Sequence, residues 1–557
     1  MFRPIYFSPE SYPRYVGTER HIPEYFPKTP DQTPFPPIGY IPQINHTFAY
    51  LEETYGAVNE HQVAIGESTC SGVFGAIPLG APNGTAMLSI DALTQIAMER
   101  STTAVQAIQL MGDLAERYGF YGAGAFEGTA ESLAVSDPHE AWIFHILADP
   151  TGTSAIWVAQ RVPDDAFAVL ANMFVIRQVD PNDHDNFRMS ASVHTVAQEY
   201  GWWSPDDGQL LDFTKIYSDG EYAHKYYSGR RVWGAYRLAG RDFPDDYSDL
   251  QSMPVYPVYT TPAYKLSVQD LFRFHRDTYA GTKYSLGAEG QLAAGPFGSP
   301  DRWKAGPGEA NVGGNWERPI GLYRTSDTYV VQSKQASCCS HGAVLWFGPA
   351  SALGTVFTPF VVGMKEIPAS FRTGHHAVFS RETAFWGACV LHNVANMKWN
   401  YAIKDVTALQ DELESTSIQL MEQLAADASM CECMADQITE GTIPKLSERA
   451  ESMIVENAAN VVHKLWALSD HLLWKYASGF VNEPELSQMV GYPEWWLEAV
   501  GYPNGPPPPP TKPKCCHPPK DNDLMDQTRE VASENTEPRT GKAAMRQFLR
   551  INAAEMQ

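Results

Sequence analysis

Three polar side chains lie in segments of this sequence that otherwise read as buried strands. Asn59 separates the two apolar runs of YGAVNEHQVAIGESTC, Asn172 lies within VLANMFVI, and Arg324 lies within GLYRTSDTYVVQ. A buried amide must be paired, so each asparagine either cross-links neighbouring loops or donates to the oxyanion of an acyl-transfer reaction. A buried arginine needs a carboxylate partner, which is either a protein side chain or a substrate. These residues are therefore candidates for a site that binds an amide carbonyl.

The elements that must position these residues alternate between helix and strand patterns. The apolar residues of 89–119 recur at helical spacing, with Asp91 as the predicted N-cap and Gly119 as the predicted end. Apolar runs separated by turn residues predict antiparallel strands. They cover 140–149, 154–162, 166–176, 321–332, 342–351 and 354–363. A second helical pattern spans 407–478, with a break at 441–444. This order predicts an α+β fold with large antiparallel sheets.

Composition and motifs exclude several classes of function. The formal net charge of −24 argues against binding to a nucleic-acid backbone. No apolar run is long enough to cross a membrane, and the first thirty residues lack the order of a signal peptide. His375, His376 and His392 lack a carboxylate at metal-site spacing. P-loop, dinucleotide and G-x-S-x-G motifs are absent from the sequence, so we predict no metal and no cofactor.

Several blocks in a fixed order resemble the dipeptidase A and secernin family of thiol peptidases, which belongs to the N-terminal nucleophile (Ntn) hydrolases. The resemblance extends from about Tyr15 to about Gly387. The blocks that carry it are IPQINHTFAYLEETYGAVNEHQVAIGESTC, DPHEAWIFHILADPTGTSAIWVAQRVPDD, LANMFVIR, GWWSPDDG, SDGEYAHKYYSGRRVW, LAAGPFGSPDRW and WERPIGLYRTSDTYVVQ.

The resemblance implies a four-layer αββα fold and a dipeptidase that hydrolyses the amide bond of short peptides. The implied nucleophile is a cysteine at the start of a processed chain, and its own α-amino group is the base. Asn59 is similar in position to the oxyanion-hole asparagine, and Asn172 to a second active-site asparagine. Arg324 is similar to a late active-site arginine, with Arg318 as the alternative. Glu60 is expected either to hold the substrate ammonium group or to be solvated or paired within the protein.

This sequence departs from the family pattern at the nucleophile. It begins Met1-Phe2-Arg3, and no cysteine precedes Cys70, which lies after Asn59 and cannot present an α-amino group. We expect Cys70 to be a structural or pocket-lining thiol. The nucleophile and the first strand of a sheet are then expected upstream of Met1, which would leave an exposed edge or a groove. The alternative is a relative without a nucleophile, a non-catalytic secernin-like protein that acts in binding or trafficking.

The same reasoning divides the chain into three parts. Residues 1–400 are expected to form the Ntn-hydrolase-like dipeptidase domain, 401–502 a helical extension packed on it, and 503–557 a proline-rich disordered tail. The expected partner is a dipeptide or short-peptide substrate, with no nucleic acid and no membrane. The leucine spacing of the C-terminal helices is compatible with a homo-oligomer interface or with packing on the chain's own core.

Overall fold

A computed structural model describes most of the chain. The described residues are 5–6, 14–16, 37–53, 55–123, 129–241, 243, 256–303, 316–334, 342–374, 377–426 and 446–505. Contacts divide the chain into two units, Met1–Val490 and Gly491–Gln557. Residues 506–557 of the predicted tail, the predicted helix break at 441–444 and the His375-His376 pair lie outside the described residues.

The strands are short to medium in length, and every pairing between them is antiparallel. In chain order they are β1 (Ile5–Tyr6), β2 (Arg14–Val16), β3 (Gly39–Ile41), β4 (His46–Thr47), β5 (Tyr50–Glu53), β6 (Gly56–Asn59), β7 (Ala64–Cys70), β8 (Ala130–Ser136), β9 (Ala141–Ala148), β10 (Ala155–Val162), β11 (Phe167–Ala168), β12 (Gln178–Val179), β13 (Phe187–Met189), β14 (Leu211–Asp212), β15 (Tyr259–Thr260), β16 (Asp327–Gln332), β17 (Val344–Pro349), β18 (Thr358–Val361), β19 (Phe480–Val481) and β20 (Gln488–Met489).

The α-helices occur mainly in two groups, one after β7 and one after β18. In chain order they are α1 (Ile90–Arg100), α2 (Ala104–Tyr118), α3 (Ser192–Glu199), α4 (Phe213–Tyr217), α5 (Arg230–Leu238), α6 (Val268–His275), α7 (Ala369–Arg372), α8 (Ala384–Ala395), α9 (Trp399–Ala426), α10 (Glu448–Lys475) and α11 (Glu494–Ala499). The α+β class predicted from the sequence is confirmed.

The large sheet has seven strands in the order β13-β10-β9-β8-β7-β6-β5. Its central strands β8, β9 and β10 pair over their full lengths, which confirms the predicted hairpin between 140–149 and 154–162. Helices α1 and α2 pack on this sheet because both bury an apolar face, and Ile96, Ile108 and Met111 join Phe144 and Trp157 in one core.

The predicted helix over 89–119 is interrupted in the structure. Ser89, rather than Asp91, is the N-cap of α1, and its hydroxyl accepts from the backbone N–H of Ala92 at 3.2 Å. Helix α1 ends at Arg100, and the extended backbone of its C-cap, Ser101, separates it from α2. The predicted end at Gly119 is confirmed, because this residue closes α2 with a φ of 77°.

A second sheet has three strands in the order β16-β17-β18, and helices α8, α9 and α10 pack against it. Trp346 and Phe360 of this sheet share one apolar core with Leu391, Leu413 and Leu465 of the helices. A cavity of about 680 Å³ lies between the two sheets, with Glu67 and Trp142 on one wall and Tyr329 on the other. The Tyr329 hydroxyl donates to the Ile65 carbonyl at 3.1 Å and so connects the sheets.

The second unit contributes one described helix, α11, whose six residues follow Pro493. Helices in the described part of the chain lack the combination of length and apolar character needed to span a bilayer.

Candidate active site

Asn59 lies at the end of β6 and is fully buried. Its Nδ2 donates to the carbonyls of Met98 (3.1 Å) and Ser101 (2.7 Å) at the end of α1. Its Oδ1 accepts the backbone N–H groups of His61 and Val63, both at 3.0 Å. An amide offers two donors and two acceptor positions, so these four bonds use all of them. The geometry supports the cross-linking alternative for Asn59.

Glu60 is the next residue, in the turn between β6 and β7. Its Oε1 accepts the backbone N–H of Ala49 at 2.8 Å, and burial raises the pKa of its carboxyl. The carboxyl therefore supports the backbone of a neighbouring segment. The paired alternative for Glu60 fits this contact.

Asn172 lies outside any strand, in contrast to the strand predicted over 166–176, of which only β11 forms. Its φ of 53° is left-handed, a conformation that asparagine tolerates better than most residues. The side chain is anchored by Nδ2, which donates to the Thr69 carbonyl at 2.7 Å. Its Oδ1 accepts from Nη2 of Arg231 at 2.9 Å. One Nδ2 hydrogen remains without a bond to the described residues.

Arg324 lies in an exposed turn before β16, so the premise that it is a buried cation was wrong. Strand β16 begins only at Asp327, because the segment 321–326 turns over the surface first. The guanidinium makes no hydrogen bond or ion pair with the described residues. It lines a cavity of about 610 Å³, together with Arg318. We call this space, lined by Glu221, Tyr227, Arg318 and Arg324 among others, the arginine cavity.

One wall of the arginine cavity is an irregular helical segment that leads into α5. A 3₁₀ turn spans Glu221–Ala223, and a π-helical turn spans Lys225–Gly229. Such single π turns change the direction of side chains within a helix and occur frequently at functional sites. Here the turn presents Tyr227 to the cavity, with 37% of its surface exposed.

The Tyr227 ring contacts two guanidinium groups. The Cζ atoms of Arg231 and Arg318 each lie 4.8 Å from the ring centroid, and Arg318 also donates to the Tyr227 hydroxyl at 2.5 Å. Loss of hydration, with repulsion from Arg318, lowers the pKa of Arg231 to about 10. The neighbouring Arg230, by contrast, forms an ion pair with Glu317.

Glu221 is the carboxylate of this wall. Its Oε2 accepts the backbone N–H of Ser71, the residue after β7, at 2.6 Å. Burial raises the pKa of Glu221 to about 7, Asp219 adds to the shift, and the Ser71 bond and Arg231 oppose it. Near neutral pH the carboxyl is therefore partly protonated and partly ionised, and the ionised form can bind a cationic group.

Cys70 is sequestered between strands. Its Sγ lies 3.1 Å from the Ser132 hydroxyl, which lies 2.8 Å from Nδ1 of His145. His145 Nε2 accepts the backbone N–H groups of Val175 and Ile176, so the proton is on Nδ1 and donates to Ser132. Burial lowers the pKa of His145 to about 3 and raises that of Cys70 well above its usual value. His145 therefore cannot serve as a base for Cys70, because its unprotonated nitrogen already accepts two backbone N–H groups.

Of the predicted site residues, Arg324 and Arg318 line the arginine cavity, whereas Asn59, Glu60 and Asn172 do not. Asn172 is connected to it indirectly, because it accepts from Arg231, which lies behind the lining and contacts the Tyr227 ring. Sequence reasoning did not single out Glu221, Tyr227 or Arg231. The signal available was the density of charges and aromatic rings in SDGEYAHKYYSGRRVW. The arrangement suits a small ligand that carries both charges. Glu221 shares a cavity of ligand size with Arg318 and Arg324, and neither arginine has an ion-pair partner in the part of the chain that the structure describes.

Known proteins resemble this chain over most of the described region. The profile of peptidase family C69 matches residues 38–412, more than half of the chain. A probable dipeptidase of Salmonella dublin is 26% identical over 324 residues, which cover 58% of this chain and 66% of that protein, just under two thirds. A probable dipeptidase A of Streptococcus pyogenes serotype M1 is 23% identical over 444 residues, 74% of this chain and 81% of that protein. Dipeptidase A of Lactobacillus helveticus is 22% identical over 286 residues, 51% of this chain and 52% of that protein.

Proposed function

Because this chain belongs to peptidase family C69, we propose that it is a dipeptidase whose substrate binds in the arginine cavity. The relatives named dipeptidase support the reaction class. The observation that carries the assignment to this cavity is the meeting of Glu221 with cations that lack a carboxylate partner among the described residues. A dipeptide is a small zwitterion, so its ammonium group fits Glu221 and its carboxylate fits the cations.

The proposed chemistry is that of an N-terminal nucleophile hydrolase with a four-layer αββα core. A cysteine that begins the processed chain passes its thiol proton to its own α-amino group, and the thiolate attacks the scissile carbonyl. The C–N bond then breaks as the ammonium returns that proton to the leaving amine, and water hydrolyses the resulting thioester to release the acid and restore the thiol. Asn172 has one Nδ2 hydrogen left to stabilise the oxyanion, and Arg324 orients the substrate or the nucleophile. Helices α1 and α2 on one sheet and α8 to α10 on the other support the layer order.

The described thiols are poor candidates for the nucleophile. They belong to Cys70 and Cys389, and burial raises the pKa of both, that of Cys389 to about 11. A thiolate is the reactive form, so a raised pKa lowers reactivity at neutral pH. Neither residue carries a free α-amino group, which supports a nucleophile elsewhere in the mature protein.

The catalytic role of Asn59 stays a prediction. Its amide has no hydrogen left for a substrate in this geometry, so a catalytic role requires that the bonds to Met98 and Ser101 break. The ammonium-binding role of Glu60 likewise stays a prediction, and Glu221 is the carboxylate that we place beside the substrate.

The test uses protein isolated from its natural source and a panel of unmodified dipeptides. We expect hydrolysis of dipeptides, loss of turnover after iodoacetamide, and a mature chain whose first residue is cysteine by N-terminal sequencing. Turnover that survives full alkylation would contradict the thiol mechanism, and the absence of hydrolysis would contradict the enzyme assignment.

The second candidate is a non-catalytic secernin-like protein. The sequestration of Cys70 favours it, because this thiol sits in a block shared with the family yet is inert by burial. Dipeptide binding in the arginine cavity without any hydrolysis by the naturally processed protein would decide for this alternative.

A further inference from the structure

The strongest feature outside the catalytic assignments is a pair of cations without an ion-pair partner among the described residues; the nearest carboxylate influence is that of Glu221, whose pKa Arg231 lowers. Arg231 and Arg318 both contact the Tyr227 ring, yet within the described part of the chain no carboxylate lies at ion-pair distance from either. Other half-buried arginines of the same unit do have such partners, as in Arg177 with Asp212 and Arg237 with Asp277. Two like charges held together without a counterion are unfavourable unless an anion joins them.

The hydrogen bonds of Arg231 fix the position of its guanidinium group but use only part of its N–H donors. Its Nε donates to the Tyr227 carbonyl at 2.6 Å, and Nη2 donates to the Ala171 carbonyl at 3.2 Å and to Asn172 Oδ1 at 2.9 Å. Of the five N–H groups of a guanidinium, the two on Nη1 remain unused by the described residues. Arg318 uses one N–H group, toward the Tyr227 hydroxyl. Planar guanidinium groups with free N–H pairs are the usual partners of carboxylates.

We propose that Arg231 and Arg318, held on Tyr227, form the subsite for the free C-terminal carboxylate of the peptide substrate. This inference rests on the proposed function, because it names the end of the dipeptide that these residues recognise. The bond from Arg231 to Asn172 links the subsite to the residue placed beside the scissile carbonyl. Binding of the terminal carboxylate thereby positions the amide bond next to it, and a substrate with a neutral C-terminus lacks this anchor.

The proposal predicts a preference that can be measured without turnover. The probes are a ketomethylene isostere of Ala-Ala, in which the scissile amide is replaced, and the C-terminal carboxamide of the same isostere. We expect isothermal titration calorimetry to show that the free acid binds about 100-fold more tightly than the carboxamide, as for a charge pair in a partly desolvated site.

Variants locate the source of that preference. Arg318→Gln is expected to weaken the free acid about 100-fold and the carboxamide less than about threefold, and Arg231→Gln to do the same. Arg318→Lys keeps the charge without the planar fork and should restore part of the preference. The matched control is Arg117→Gln, an exposed arginine whose Cζ lies 5.1 Å from the Tyr118 ring, which should leave both affinities unchanged. A thermal unfolding curve for each variant confirms that the fold is retained.

The outcomes separate this inference from the proposed function. A free-acid preference that collapses in Arg318→Gln supports the subsite even if the processed protein hydrolyses no dipeptide. Equal binding of the acid and the carboxamide, or an equal loss for both probes in Arg318→Gln, overturns the subsite. Dipeptide hydrolysis by the processed protein would then still support the proposed reaction.

Discussion

At the scale of single residues, substitution of Asn59 distinguishes a structural role from a catalytic one. Asn59→Ala leaves the Met98 and Ser101 carbonyls and the His61 and Val63 N–H groups without their partner. Unpaired buried polar groups are costly, so we expect the free energy of unfolding to fall by at least about 3 kcal/mol. Chemical denaturation of the purified variant measures this change.

Asn182→Ala is the control, because among the described residues the side chain of this exposed asparagine bonds only to Asp180, two positions earlier. It should change stability by less than about 0.5 kcal/mol. An Asn59→Ala protein of normal stability that has lost turnover would show that the catalytic role is correct.

If the proposed ammonium contact at Glu221 is correct, ligand binding depends on pH. Its raised pKa of about 7 means that the carboxylate forms between about pH 6 and pH 8, so affinity for a dipeptide ammonium should rise over that interval. Glu221→Gln should bind more weakly at pH 7.5 and show a flat profile. Calorimetric titrations between pH 5.5 and pH 7.5 avoid deprotonation of the ligand's own amino group.

The same group affects stability with the opposite trend. The fold retains a proton on Glu221 that the unfolded chain releases near pH 4.5, so stability falls as pH rises toward about 7. Glu221→Gln should remove this decline in thermal unfolding scans without ligand. A decline that persists unchanged in the variant would contradict the pKa assigned to Glu221.

At the scale of elements, α2 approaches β10 so closely that it requires a glycine. A Cβ at Gly112 would overlap the indole of Trp157, and that ring is fixed because its Nε1 donates to Glu116 at 2.7 Å. Gly112→Ala gains up to about 1 kcal/mol of helix propensity but strains the contact by about 1–3 kcal/mol or more. We expect a net loss of thermal stability.

Gly491→Ala is the matched substitution, because no atom lies within 4 Å of its Cβ position and its φ is not left-handed. It should leave the melting temperature unchanged. A Gly112→Ala protein that melts at or above the temperature of the parent would show that α2 and β10 can separate without cost.

The regular elements could be predicted from the sequence, whereas the placement of the site residues could not. Alternating and helical apolar patterns located β9, β10 and α2, because their side chains are buried on defined faces. The same pattern failed at 166–176, where VLANMFVI is apolar because it packs in the core as an irregular segment. In this segment apolar character indicates burial and not a strand. The backbone N–H groups of Val175 and Ile176 donate to His145 instead of to a neighbouring strand.

The candidate site was only partly visible for a related reason. Asn172 and Arg324 were identified as polar residues in apolar runs; Arg324 lines the arginine cavity, and Asn172 bonds to Arg231 behind its wall. Glu221, Tyr227 and Arg231 lie in a segment rich in charges and aromatic rings without an apolar period, so the sequence marks the segment but does not single out these three residues. Their significance arises from the fold, which places Glu221 and Tyr227 on the cavity wall and Arg231 behind Tyr227, with no ion-pair partner for Arg231 among the described residues.

At the scale of the whole molecule, an acidic pair joins the two sheets. Glu53 of β5 shares a hydrogen bond with Asp327 of β16, and burial, with the charge of Asp327, raises the pKa of Glu53 to about 9. The folded protein keeps this proton, while the unfolded chain loses it near pH 4.5. Stability should therefore fall as pH rises toward about 9, by up to about 1.4 kcal/mol per pH unit from this group.

Glu53→Gln is expected to melt at a higher temperature than the parent at pH 8.5, because its amide donates to Asp327 at every pH. Differential scanning calorimetry at pH 5.5 and pH 8.5 measures the difference, and the exposed Glu485→Gln serves as the control. Parallel pH profiles for the parent and Glu53→Gln would refute the proton-sharing contact.

The π turn at Lys225–Gly229 makes the cavity wall sensitive to the length of the chain as well as to its composition. Successive residues of a helix are rotated by about 100°, so losing one residue here would convert the turn to ordinary α-helix and swing Tyr227 away from Arg231. An insertion or deletion in this stretch would therefore change which ligands the proposed site accepts, even if the side chains that line the cavity stay chemically the same.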